Sequence, residues 1–172
     1  MIRMLDAPRV NQRVATVLGS VLVALAPAVA LPGHATAATV DWHSDQPRLT
    51  NCSGYRYVPM GAATVTVRDC LKTYISSGRI TYYNGVLEVG YYNGRSAMLG
   101  GQSMTAHRGS SRAEGVNVCP PVRFTDEAVR WCYSPTQWKP RGAGQIVYGK
   151  GILTDSTGRW MALAWSTPLE IY

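Results

Sequence analysis

The chain has 172 residues, is 46% hydrophobic and 16% charged, and carries a net charge of +7, which suits one domain with room for a core. Its lysines and arginines are scattered singly with no run of three, which argues against a nucleic-acid groove and fits solubility or an anionic partner. All ten tyrosines and five tryptophans lie after residue 38.

The first 37 residues read as a secretory signal peptide. Arg3, Arg9 and Arg13 precede an apolar run over 14–31, and the small-x-small site Ala35-Thr36-Ala37 follows. Gly19, Ser20 and Pro27 interrupt the run and no basic flank follows it, so no membrane anchor is expected after cleavage. No lipobox cysteine or twin-arginine pair is present. Removing 1–37 takes away three arginines and one aspartate and leaves a net charge of +5.

Residues 38–51 read as an irregular N-terminal arm, with Trp42 and His43 its only large groups, and 52–172 as the folded domain. Four cysteines in an exported chain imply disulfides, and local pairing gives Cys52–Cys70 and Cys119–Cys132. Each bridge would contribute about 3 kcal/mol by restricting the unfolded chain. No Cys-x-x-Cys occurs, and neither His43 nor His107 is spaced against a cysteine like a zinc ligand, so no metal is expected.

A short strand is predicted over 54–58, a turn at 59–61, and a strand over 63–68 with Val65 and Val67 inward. That strand continues through 70–75 past a bulge and closes at Ser76-Ser77-Gly78. The stretch 79–99 then contains Tyr-Tyr-Asn-Gly twice, at 82–85 and 91–94. Asn-Gly suits the type I′ turn, so the prediction is a three-stranded meander of 79–83, 86–92 and 95–99. In that register Ile80, Tyr82, Leu87, Val89, Tyr91 and Met98 face the core. Arg79, Tyr83, Tyr92 and Arg95 share the outward face.

Beyond the meander, 102–107 is a candidate strand and 107–115 an exposed polar loop carrying His107, Arg108 and Arg112. Residues 116–119 are strand-like up to Pro120-Pro121. Thr125 followed by Asp126 and Glu127 gives the one helix start, good for a turn or two. Residues 129–133 alternate like a strand, and 145–154 with 160–166 form a final hairpin around 155–158. The fold class is therefore all-β: a single small antiparallel β-sandwich, or a small barrel, of eight or nine short strands with two disulfides.

No catalytic set stands out. Gly-x-Ser-x-Gly is absent, the cysteines are paired, and nothing in sequence couples Glu88, Glu114, Asp126, Glu127 or Asp155. A small hydrolase or ribonuclease-type toxin would rest on His43 and His107 alone. No cofactor is implied and the chain is expected not to be an enzyme. Tyrosine and arginine are enriched in interfaces, so Arg79, Tyr83, Tyr92 and Arg95 become the candidate binding patch. His107, Arg108 and Arg112 of the loop join them, with Trp138, the tryptophan expected to be exposed. Trp131, Trp160 and Trp165 are expected in the core.

The expectation is a secreted, monomeric bacterial binding or adapter module recognising another extracellular protein. A secreted enzyme inhibitor presenting the loop 107–115 comes next, then a glycan or cell-wall module, which the same aromatics would serve. Because the leader ends in Ala35-Thr36-Ala37, secreted protein should begin at Ala38. Intact-mass measurement of culture protein checks this, and a membrane-bound species retaining Met1 would contradict it.

Overall fold

The structure, a computed structural model, describes residues 37–109, 113–138 and 145–171. The signal-peptide reading and Arg112 therefore fall outside the described residues. No helix forms among those described. The described residues form eleven strands in chain order: β1 (Ala38–Thr39), β2 (Arg56–Met60), β3 (Ala63–Ser76), β4 (Arg79–Tyr92), β5 (Ser96–His107) and β6 (Ala113–Thr125), followed by β7 (Ala128–Tyr133), β8 (Gln137–Trp138), β9 (Gln145–Asp155), β10 (Trp160–Trp165) and β11 (Leu169–Ile171). They make two packed sheets. Sheet I has the order β1-β6-β5-β9-β10, with β11 also on β9, and sheet II has β2-β3-β4-β7, with β8 also on β4. The molecule is the all-β sandwich expected, but its described residues form eleven strands instead of eight or nine, and β3 and β4 run for 14 residues each.

Alternation sets which residues enter the core. On β3, Val65 and Val67 point inward as predicted, and on β4 Leu87, Val89 and Tyr91 do so. They pack against Leu99, Cys119, Phe124, Leu153 and Ala164 of sheet I. Both predicted disulfides are present. Cys119–Cys132 joins β6 to β7 and so links the sheets, while Cys52–Cys70 fastens the segment before β2 to β3. The bulge expected between 68 and 70 is absent, since the β3–β4 register runs unbroken from Thr64 to Tyr74; the one irregularity lies between Tyr74 and Ile75, and the turn after it is Ser77-Gly78, both at positive φ.

Several expectations are corrected. There is no meander. Asn84 and Gly85 continue β4 without a turn and pair with Lys72 and Leu71. Asn93, at φ 60°, does turn, but it carries the chain from sheet II to sheet I, and its N–H donates to Asp126 Oδ1. Removing the first turn flips the parity before it. Tyr83 then shares a face with Leu87 and is wholly buried, whereas Tyr82 lies on the outer face. Met98, expected in the core, is exposed.

The predicted helix start is instead a tight connection between β6 and β7, with Glu127 at φ 60°. The arm is not loose. Trp42 is buried edge-on against Phe124 at 5.4 Å, and its Nε1 donates to Pro120 O at 2.9 Å. His43 bridges Trp131 on β7, and Thr50 bridges Leu71 on β3. Trp131 is buried as expected, but Trp160 and Trp165 are exposed.

An inward position of β3 carries a carboxyl group. Asp69 of β3 is fully buried, and neither carboxyl oxygen has a hydrogen-bond partner. It faces Gly149 and Gly151 of β9, where a Cβ would overlap Oδ1 or come within 2.5 Å of Oδ2. Burial alone raises its carboxyl well above the usual range. The folded state therefore keeps this proton to higher pH than the unfolded chain does. Its stabilising contribution is complete below about pH 4 and is lost as pH climbs toward the raised value. Asp155 acts in the opposite sense, since the Thr157 side chain and backbone, with Arg159, hold its exposed carboxyl below the usual range. That effect cancels when wild type is compared with Asp69→Asn. Between pH 4 and 8, the stability difference from urea unfolding should shift in the variant's favour by on the order of 1 kcal/mol per pH unit across the titration window. A gap independent of pH would show that Asp69 does not titrate there.

Candidate functional site

Even-numbered residues of β3 and β4 point away from the core, and on sheet II this outer face is lined with aromatic rings. At its centre Glu88, only 5% exposed, accepts hydrogen bonds from Tyr55 Oη (2.7 Å), Arg68 Nη2 (2.8 Å) and Trp131 Nε1 (3.0 Å). The Arg68 guanidinium also lies over the Tyr55 ring at 4.4 Å. Burial, and then the bond to Glu88, pushes the Tyr55 hydroxyl up to about 12, so it stays a neutral donor. One carboxylate thereby orders three strands and the segment before β2.

Rings extend from this centre in both directions. Toward the start of β3, Tyr55, Tyr57, Thr64, Thr66, Tyr92 and Asn93 line a shallow concavity. Gly90 sits under the Tyr92 ring, and a Cβ there would come 2.7 Å from Tyr92 Cε2. Toward the other end Trp138 packs on Tyr82 at 4.4 Å, and Tyr82 meets Tyr74 edge-on at 6.4 Å. Lys72 Nζ lies between Tyr74 (5.1 Å) and Tyr133 (5.2 Å), with His43 against Tyr133 at 4.5 Å. Burial, with Tyr74 and Asp45 nearby, raises the Tyr133 hydroxyl to about 12. Ten residues separate Tyr82 from Tyr92 on one strand, so the face is roughly 30 Å long. Trp138 is 73% exposed at one end and Tyr57 70% at the other.

The predicted patch of Arg79, Tyr83, Tyr92 and Arg95 does not assemble. Arg79 and Tyr92 stand at opposite ends of β4, Arg95 follows the turn at Asn93, and Tyr83 is interior. Tyr92 and Trp138 do belong to one surface, the outer face of sheet II. Sequence reasoning missed Tyr55, Tyr57, Tyr74 and Tyr82 there. The alternation of Thr64, Thr66 and Arg68 against Val65 and Val67 marked the right face of β3, and Tyr74 shares its parity.

His107 ends β5 at the margin of the core. Its Nε2 meets Tyr83 Oη at 3.2 Å and also contacts the Glu114 carboxylate. Burial, and then the Glu114 charge, raises the Tyr83 hydroxyl far above its usual value. A cleft beside them is lined by His107, Arg108, Glu114, Gln145 and Ile146. His43 packs on Tyr133 on the outer face of sheet II and His107 on Tyr83 at its inner face, so the two histidines do not share a site. Among the described residues no cluster of three metal-ligating side chains forms.

No protein-family model matches the chain, and no curated protein matches it in sequence.

Glu88 is the residue on which the outer face turns. Glu88→Ala would leave Arg68 and the Trp131 N–H without their acceptor, a loss of about 3 kcal/mol when a buried pair is broken on one side. Chemical denaturation measures it. A cost below about 0.5 kcal/mol would mean the network is surface decoration.

Proposed function

We propose that this is an exported protein-binding module whose recognition surface is the outer aromatic face of sheet II. The observation that carries the reading is the exposure of Trp138 and Tyr57 at the two ends of one ordered, strand-borne face. Rigid amphipathic rings bury area at small entropic cost, and such residues supply most binding hot spots. A face about 30 Å long on a five-stranded sheet has the dimensions of a small interface.

The ring geometry favours a protein over a polysaccharide. Trp138 and Tyr82 are inclined by 57°, and Tyr82 and Tyr74 by 89°. Such rings form ridges and notches that accept protruding side chains, not a level platform for a flat sugar chain. The two disulfides support an extracellular setting, as does the leader read from the sequence.

The test uses secreted protein immobilised against culture supernatant, with affinity for the captured partner measured afterwards. Trp138→Ala and Tyr57→Ala should each weaken binding by about 2 kcal/mol, roughly 30-fold, with little change in melting temperature. Unchanged affinity in both variants would remove the face from recognition. Retention on insoluble cell wall, with no protein captured, would replace the reading with glycan binding.

A further inference from the structure

Among the described residues, three of the sandwich's edges are protected and the fourth is not. The β6 edge is covered by β1, which pairs with Asn117 and Val118, and it then runs into Pro120-Pro121. The β7 edge is met by His43, which exchanges both backbone hydrogen bonds with Trp131. The β2 edge is short and contains Arg56 and Pro59. Charge, proline, short length and covering segments are the usual means of preventing strand addition at an edge. The edge strand β10 has the sequence WMALAW, with no charge and no proline. Among the described residues its only backbone partner is β9.

The chemistry of that edge can be read from its neighbours. The Ser166 N–H donates to Gly149 O, so the backbone groups of residue 166 point toward β9. Successive residues of a strand alternate, so those of Ala164 also point to β9, whereas those of Leu163 and Trp165 point outward. The Leu163 and Trp165 side chains lie on the outer face of sheet I, paired with Ile152 and Lys150, and Ala162 and Ala164 face inward. Trp160 is 62% exposed and Trp165 43%.

We propose that β10 is a self-association site, pairing antiparallel with β10 of a second copy of this chain about a two-fold axis through Ala164. Opposed residues must share a face for a sheet to continue, and this axis satisfies that rule. It sets Leu163 against Trp165 of the partner copy, twice, and Ala164 against its own counterpart. Both Leu163–Trp165 pairs bring outward-pointing backbone groups together, giving four interchain hydrogen bonds in the isologous arrangement. The register shift between Trp160 and Ala162 falls outside the paired strip. A second copy suits the edge electrostatically, because residues 160–166 carry no charge although the chain is basic. Two copies therefore meet without opposing like charges in the paired strip.

Sedimentation velocity on secreted protein over a dilution series tests this. The mass should double with concentration, and amide exchange at Leu163 and Trp165 should slow in step. Leu163→Lys should weaken the dimer at least about tenfold, since a desolvated unpaired charge then sits in the joint. Trp165→Glu should do the same. Mixing the two variants should restore a heterodimer, because the axis through Ala164 opposes residue 163 to residue 165. Should either variant fail to fold, the concentration dependence of amide exchange in wild type still decides. A monomer at every concentration overturns the proposal. So does a dimer indifferent to both charges, or amides at 163 and 165 that exchange alike in dilute and concentrated protein. Dimer loss in Trp138→Ala with Leu163→Lys unaffected would also overturn it, by moving the joint to the aromatic face.

Discussion

The close approach of the two sheets around Asp69 is the constraint from which the rest of the fold follows. A Cβ at Gly85 would overlap the Met104 carbonyl and come 3.3 Å from Gly149 Cα, so backbone meets backbone across the sandwich there. On each strand this line falls between two groups of inward side chains. Val67 precedes it and Leu71 follows on β3; Tyr83 precedes it and Leu87 follows on β4; Val147 precedes it and Leu153 follows on β9. The result is two hydrophobic clusters, with Leu71, Tyr83, Val147 and Ile171 forming the smaller. Between them run Asp69, Ser103, Thr105 and the glycines of β9. Ser103 and Thr105 are wholly buried with hydroxyls unpartnered, as is the Asp69 carboxyl.

A buried polar line of this kind lowers stability unless its surroundings hold it in place. The chain clamps it from the outside. Ser53 donates its N–H to Asp69 O, and its Oγ accepts from the Asp69 N–H, one residue from Cys52. Cys70 adjoins Asp69, so the Cys52–Cys70 bridge fastens the strand at the position where the interior is least favourable. Ser166 does comparable work on the facing sheet, where its Oγ accepts from the Gly149 N–H at 2.8 Å. The second disulfide crosses the larger cluster instead, through Cys119 and Cys132, both buried.

The same line explains what the sequence hid. Asn84-Gly85 has the composition of a hairpin turn, but Gly85 is required for backbone proximity. The Asn84 side-chain amide is used in donating to Ser134 O and Thr136 Oγ1. Neither partner is local, so tertiary contacts override the turn preference. One misplaced turn then exchanges the faces of every residue before it, which is why Tyr83 read as exposed and Tyr82 as buried. Trp42 was hidden for a different reason: an arm without periodicity gives no sign that its single ring enters the core. What could be read was local. Alternating Thr and Val on β3, cysteines 18 and 13 residues apart, and the hairpin around Asp155-Ser156-Thr157-Gly158 each needed only neighbouring residues to specify them. The aromatic face lay between these cases. Its residues come from β2, β3, β4, β7 and β8, and only the strand order unites them.

The division of labour between the sheets has a consequence for assembly. The aromatic face belongs to sheet II and the uncharged edge to sheet I, and neither uses a residue of the other. A joint through β10 would continue sheet I and leave Glu88, Tyr57 and Trp138 untouched in both copies. The dimer would then present two equivalent aromatic faces about one axis. Against a repetitive or oligomeric partner, the second contact becomes intramolecular, and apparent affinity can rise by about 100-fold or more without any new contact in either face. The edge would thus act on recognition through valency alone, since the strands that order the aromatic rings are held by Glu88 and its three donors, not by β10.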